Sequence, residues 1–410
     1  MRFLMAGRMN LGAFGRISRA CGRFVCGFLF IAMAVPFGGC LSPAALDHVA
    51  IAYNEAVANV MSEQLLLNIA RARYNQPIQF AGISNIAATM NFQANAGMTP
   101  ALAGTNGAML LPSLGGSVSE NPTISIVPIE GEEFTQRMLT PLADDKLTLL
   151  LRQNLDVDLL LRLVALEFRT NDGNVFHNRP RNVEDYSEFR RIGLHLASIQ
   201  HSDQLYAEPL IFEKQWTLPL EKISAKAFQS LQKEFSIHLN AKDNACVLTK
   251  QVTGRMLLTN YDPSVLSNQE RMNLNEEAEK NSQNDLLVDI RADYPGGKYP
   301  IHGKFRLRSF SNIMYFIGRG ISTEPEFMVS PDPRTPTVKR NPVSVLAVRE
   351  TDLKPTGAEV SAYYRDKYYS LDAGDDTAWN QTAFRVLSQI YQMTVTELPR
   401  TGVPSITIAK

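Results

Sequence analysis

The chain has 410 residues, 45% of them hydrophobic, with 41 basic and 41 acidic side chains and a formal net charge of zero. Balanced charge excludes the clustered basic surface that a phosphate backbone requires, so nucleic acid is not an expected partner. The length allows two or three domains, and the apolar fraction is enough to build cores for them.

The first segment is basic and then apolar. Arg2, Arg8, Arg16, Arg19 and Arg23 occur there with no lysine or acidic residue, and an apolar run follows from Phe24 to Phe37. A charged region, an apolar region and small residues at a cut site make a secretory leader. A spanning helix needs ~20 apolar residues, so the run is too short for a transmembrane anchor. It ends in Gly38-Gly39-Cys40, which resembles the lipobox of bacterial lipoproteins. The resemblance implies a diacylglycerol on the Cys40 thiol, a cut before it, and a signal peptide over residues 1–39. In such lipoproteins an Asp after the cysteine retains the protein in the inner membrane. Here Leu41 follows, which implies the periplasmic face of the outer membrane. Met1, Met5 and Met9 are all open as starts. Taking five arginines from 41 basic residues leaves 36 against 41 acidic ones, a net charge near −5.

The four cysteines then reduce to one. Cys21 and Cys26 fall in the leader and Cys40 takes the lipid, so Cys246 has no partner. It sits in Ala245-Cys246-Val247-Leu248-Thr249, a strand pattern, and reads as a buried apolar thiol rather than a nucleophile.

Residues 40–77 read as a membrane-proximal helix. Val49, Tyr53, Val57, Val60, Leu65 and Ile69 keep helical spacing, and Pro77 closes it. Residues 78–204 read as a mostly helical domain with a Gly/Ala-rich insertion. Alternation around Met90–Gln93 and Thr123–Val127 predicts two strands, and the small-residue stretch from Ala94 to Asn121 predicts a long loop between them, either mobile and binding or disordered. Residues 130–170 are expected to be helical in three pieces, with Asp156 capping the third and Asp144 or Asp145 the second. A further helix is expected over 183–198.

Residues 205–322 alternate between types. Strands are expected at 205–218, 246–258, 286–291 and 303–307, with helices at 226–235 and after Ser309. The polar stretch 263–284 shows no apolar period and reads as a solvated loop. Residues 323–342 carry Pro325, Pro331, Pro333, Pro336 and Pro342 and read as a linker. Residues 343–410 read as a strand–helix–strand unit, with strands at 343–348, 361–371 and 403–408 around a Trp379 helix. The fold class is α+β, a helical N-terminal part followed by a mixed strand and helix C-terminal part.

Several stretches are similar to a family of uncharacterised proteobacterial outer-membrane lipoproteins. They are Glu63-Gln64-Leu65-Leu66-Leu67-Asn68-Ile69 with Arg71, Arg73, Tyr74 and Pro77; Pro122-Thr123-Ile124 through Gly131-Glu132-Glu133-Phe134 with Thr140-Pro141; Leu307-Arg308-Ser309 with Tyr315; and Thr382-Ala383-Phe384-Arg385-Val386-Leu387. The resemblance implies an envelope location and no particular chemistry.

Motifs for catalysis are missing from the sequence. It has no phosphate loop, no Gly-x-Ser-x-Gly and no His-Glu-x-x-His or paired Cys-x-x-Cys set. His195 and His201 are six apart, which does not suit one helix face. Asp372, Asp375 and Asp376 lack the ligand count of a calcium loop and read as helix-capping groups. No catalytic residue, cofactor or metal is assigned. Tyr363, Tyr364, Tyr368 and Tyr369 crowd one predicted strand, where tyrosine suits either an interface or cross-strand pairing. Alternation along one strand sets Tyr364 and Tyr368 on one face, the interface candidates, and Tyr363 and Tyr369 on the other, against the Trp379 helix. The function this supports is a lipid-anchored envelope protein that binds or assembles a partner protein. An envelope hydrolase acting on peptidoglycan or glycan is the alternative.

Overall fold

The computed structural model describes residues 41–100, 110–219, 225–240, 244–374 and 377–394. The fold is α+β. The first helix, α1 (Leu41–Arg73), is followed by an antiparallel pair, β1 (Phe80–Pro100) and β2 (Leu110–Ile129). Three short helices come next: α2 (Glu132–Leu139), α3 (Asp144–Leu151) and α4 (Val157–Val164). The chain divides into a compact unit Met1–Met61 and a second, Ser62–Lys410, which holds every element after α1. No helix among the described residues is long and apolar enough to cross a membrane.

Within the second unit, the end of α1 fixes the root of the β1–β2 ribbon. Leu65, Leu66, Ile69 and Ala70 are fully buried. Between them, Gln64 and Asn68 lie four residues apart on one helix face. Gln64 donates to the Ala81 carbonyl at 2.9 Å and accepts from its N–H at 2.7 Å. Asn68 does the same to Gln79, at 2.7 and 3.0 Å. Phe80 then stacks on Tyr391 with ring centroids 4.2 Å apart. The stretch from Ala94 to Asn121, expected as a loop, is instead ribbon as far as Pro100 and again from Leu110. Its period-two pattern is diluted by small residues that also suit loops, and that is why composition misread it.

The central sheet has seven strands: β3 (Ala165–Thr170), β4 (Val175–His177), β5 (Tyr206–Pro219), β6 (Ser236–Asn240), β7 (Ala245–Thr259), β8 (Asp285–Ile290) and β9 (Ile301–Leu307). They run in the order β4-β3-β9-β8-β7-β5, with β6 also paired to β7. Strands from both sides of residue 204 share this sheet, so no domain boundary falls there. Residues 165–170, expected as helix, form β3. The apolar run from Val157 to Phe168 satisfies either period, and pairing with β9, with Phe168 edge-on to Phe305 at 4.8 Å, decides for strand. On β9, buried Ile301, Gly303, Phe305 and Leu307 alternate with half-buried residues, as on a sheet with one inward face.

β7 and β8 are parallel, and a parallel pair needs a crossover. A short 3-10 turn at Pro263–Val265 and helix α7 (Asn268–Glu279) supply it, where a loop was expected. Its signal was a capping box rather than an apolar stripe. The Ser267 side chain accepts from the Glu270 N–H, and Glu270 reaches back to the Ser267 N–H at 3.0 Å. Between these elements, α5 (Val183–Gln200) packs on the sheet and α6 (Ala225–Leu231) bridges β5 and β6. The Asp156 cap is present, its side chain accepting from the Asp158 N–H at 2.9 Å, whereas Ala143 precedes α3 with no side-chain cap.

The C-terminal part holds α8 (Phe310–Gly320), strands β10 (Val348–Thr351), β11 (Ser361–Tyr364) and β12 (Lys367–Leu371), and α9 (Thr377–Thr394). Gly318 is where α8 meets the end of α1. A Cβ there would lie 2.6 Å from the Arg73 nitrogen, so only glycine allows the approach. The Pro-rich segment is irregular as expected, but it is anchored rather than a spacer: Val329 is buried, and Arg162 Nη1 donates to the Pro342 carbonyl at 2.9 Å. The strand expected at 343–348 begins only at Val348. That expected at 361–371 is a hairpin. Asp375, Asp376 and residues 403–408 lie outside the described residues.

Candidate functional site

The turn that joins β11 to β12 rearranges the tyrosines. Arg365 and Asp366 both have positive φ, 48° and 61°, the backbone of a two-residue hairpin turn. Tyr363 then pairs with Tyr368, and Ala362 with Tyr369. Paired residues share a face, so Tyr363 and Tyr368 stand together, their ring centroids 4.9 Å apart, and Tyr364 sits on the Tyr369 side. The expected grouping of Tyr364 with Tyr368 assumed one unbroken strand and is corrected by the turn. Tyr363 is 56% exposed and its hydroxyl donates to Asp366 at 3.0 Å. Tyr364 is half-buried, 6.0 Å from Tyr74, with the Arg365 guanidinium 4.7 Å from the Tyr74 ring.

Tyr369 is fully buried, and its hydroxyl receives Arg73 Nη1 at 3.2 Å and lies 3.3 Å from the Tyr74 hydroxyl. Burial first, then the Tyr74 contact, raises its pKa. Its polar anchor is therefore the end of α1, where Arg73 also pairs with Glu350. The exposed aromatic face is thus held on a hairpin whose other face is fixed.

A second candidate is an open cleft of about 540 Å³ bordered by Asp156, His201, Asp203, Lys339, Arg385 and Trp379. His201 Nε2 lies 3.2 Å from Asp156. Burial, and next the charge of Asp158, raise the Asp156 pKa against the pull of His201. A raised carboxyl beside an imidazole in a cleft suits proton transfer. The same carboxylate caps α4, which accounts for its position without chemistry.

Two further charge clusters are structural. His302 has both ring nitrogens occupied, Nδ1 by Asp289 and Nε2 by Glu277, each at 2.9 Å. The Asp289 bond, outweighing burial, lifts it to about 9, so it is a doubly paired imidazolium with no nitrogen free to accept a proton. In the core, Glu326 accepts from Arg162 Nε at 3.1 Å and Nη2 at 2.7 Å, from the Tyr186 hydroxyl at 2.7 Å and from the Val345 N–H at 2.6 Å. Burial alone would raise Glu326, but Arg162 holds it below its ordinary value. Arg190 pairs with Asp158 beside them. Arg308 is buried too, donating to the Asn178 carbonyl, with its guanidinium 3.9 Å from the Phe316 ring centroid. It lines a small pocket with Arg179 and Arg319.

The remaining expected residues fall in the core. Cys246 is a buried free thiol. His195 is buried 5.0 Å from the Tyr299 ring, and burial lowers it to about 4, so it is neutral at pH 7. Among the described residues no group of three or more His, Cys, Asp or Glu side chains is placed to hold a metal. Sequence reading missed Glu326 and its arginines, because nothing in a Pro-rich segment marks one carboxylate as buried. No family model, curated protein or solved structure matches the chain.

Proposed function

We propose that the protein is a lipoprotein held to the periplasmic face of the outer membrane through Cys40, and that it serves an envelope complex as a non-catalytic binding or assembly component. The observation that supports binding is the face of an anchored hairpin on which exposed Tyr363 stands beside half-buried Tyr368. Tyrosine offers a large rigid contact area with a hydrogen-bonding tip, which is why it is enriched at protein interfaces. The partner this face suits is an envelope protein.

Anchor and binding face are tested together. C40S is expected to accumulate as an uncut precursor that incorporates no labelled fatty acid, and undiminished labelling would refute the anchor. Wild-type protein is expected in outer-membrane fractions of a sucrose gradient. Y363S/Y368S is expected to keep the wild-type melting temperature and lose co-purifying envelope proteins. An unchanged set of co-purifying proteins would refute the binding face.

The Asp156–His201 pair favours one second reading, an envelope hydrolase acting on peptidoglycan or glycan. It requires cell-wall zymography to show a band that D156N abolishes while the melting temperature stays near that of the wild type.

A further inference from the structure

From Asn85 onward the β1–β2 ribbon pairs residue for residue, from Asn85 with Ser125 to Pro100 with Leu110. Directly paired residues share a face, and successive residues alternate. Asn85, Thr89, Asn91, Gln93, Asn95 and Thr99 of β1 therefore fall on one face, with Ser125, Thr123, Asn121, Ser119, Ser117 and Ser113 of β2. Ile86, Met90, Phe92, Ala94, Ala96 and Met98 fall on the other, with Ile124, Val118, Leu114 and Leu110. The ribbon is two-faced, polar on one side but for Ala87 and Leu111, and apolar on the other but for Glu120. Between Phe80 and Ile129 the single charged residue is Glu120, whereas one residue in five is charged over the whole chain.

Glu120 lies on the apolar face, paired with Met90. Beyond it, the pairs from Asn91–Ser119 to Pro100–Leu110 carry no charge on either face. That stretch is ten residues long in each strand. A tilted strand needs ~9–11 residues to cross the apolar part of a bilayer, and alternation of apolar and polar residues without charge is the pattern of strands that do so. Among the described residues the ribbon is also a sheet of two strands, with no third strand on either edge. Two strands alone are marginal in water. Inside a bilayer no water satisfies an unpaired strand edge, so strands cross it only in a closed barrel. Among the described residues one copy of the chain brings two such strands, and β5 and β7, the other long ones, belong to the central sheet.

We infer that β1 and β2 are the share of one copy in a membrane-spanning β-barrel built from several copies of this chain, with the Phe92–Ala94–Ala96 face toward lipid and the Gln93–Asn95 face toward the lumen. The smallest such barrels have about eight strands, which asks for about four copies or more. The inference goes beyond the proposed function and does not depend on acylation of Cys40.

The test is a cysteine scan of the full chain with Cys21, Cys26, Cys40 and Cys246 replaced by alanine, with single cysteines from position 91 to 98. Each carries an environment-sensitive fluorophore and is reconstituted in vesicles of phosphatidylethanolamine and phosphatidylglycerol. The unsubstituted background serves as the labelling control. Labels at 92, 94, 96 and 98 are expected to shift to the blue and to be quenched by lipid-borne quenchers. Labels at 91, 93, 95 and 97 are expected to be quenched by aqueous iodide. Chemical cross-linking of the same vesicles is expected to give a ladder beyond the dimer. Uniform iodide access would overturn the inference. The same alternation in detergent-free solution would overturn it too, because protein rather than lipid would then cover the apolar face. Monomer alone after cross-linking would do so as well. Acylation is read separately by fatty-acid labelling, so failure of the anchor and failure of the barrel give different results.

Discussion

Single side chains fix this molecule by occupying the polar atoms of others. Glu326 is the clearest case, with four donors on one buried carboxylate. Removing one partner of a buried pair leaves the other charge unpaired and costs ~3–5 kcal/mol. E326A is expected to lose about that much in urea unfolding, and E326Q less, since the amide still accepts from Arg162 and Tyr186. Because its folded pKa is depressed, the stability Glu326 adds is present above the ordinary carboxylate range and fades as pH falls. His302 works in the opposite direction. Its pKa is raised from 6.5 to about 9, so its contribution is complete below pH 6.5 and is lost as pH rises through about 9. Denaturation midpoints measured from pH 6 to 10 are expected to fall across that window in the wild type and to flatten in H302Q.

At the level of elements, side-chain amides and turns set what strands do. Asn68 satisfies both backbone groups of Gln79, and a buried group left unsatisfied costs ~1–3 kcal/mol. N68L keeps the volume and removes both bonds. It is expected to destabilise the protein by about that amount per group, read as a shift in urea midpoint, and to raise hydrogen exchange at Gln79 and Ala81 first. Helices with apolar stripes, such as α4, α8 and α9, were legible in the sequence. β3 was not, because an apolar run fits two periods and pairing with β9 chose between them. α7 was hidden because its stripe is only Leu274 and Ala278, although Ser267 and Glu270 announced its start. The tyrosines were noticed, but Arg365-Asp366 is not a usual turn pair, so the hairpin that regroups them went unread. The ribbon pattern was seen only at its two flanks, since Ala, Gly, Ser and Asn between them suit strand and loop alike.

The molecule as a whole joins two features that composition alone separates. One is a body held by buried ion pairs and a mixed seven-stranded sheet. The other is an almost uncharged ribbon fixed at its root by Gln64, Asn68 and Phe80. Under the two proposals above, such a chain, anchored by lipid and joined to its copies through the ribbon, is a building block of an envelope assembly. The mass of the full chain, extracted from membranes in mild detergent, tests that claim most directly. The account predicts a discrete complex of about four copies or more, reduced to a folded monomer when residues 86–124 are replaced by a short turn. A wild-type chain that runs as a monomer, with or without the ribbon, would contradict it.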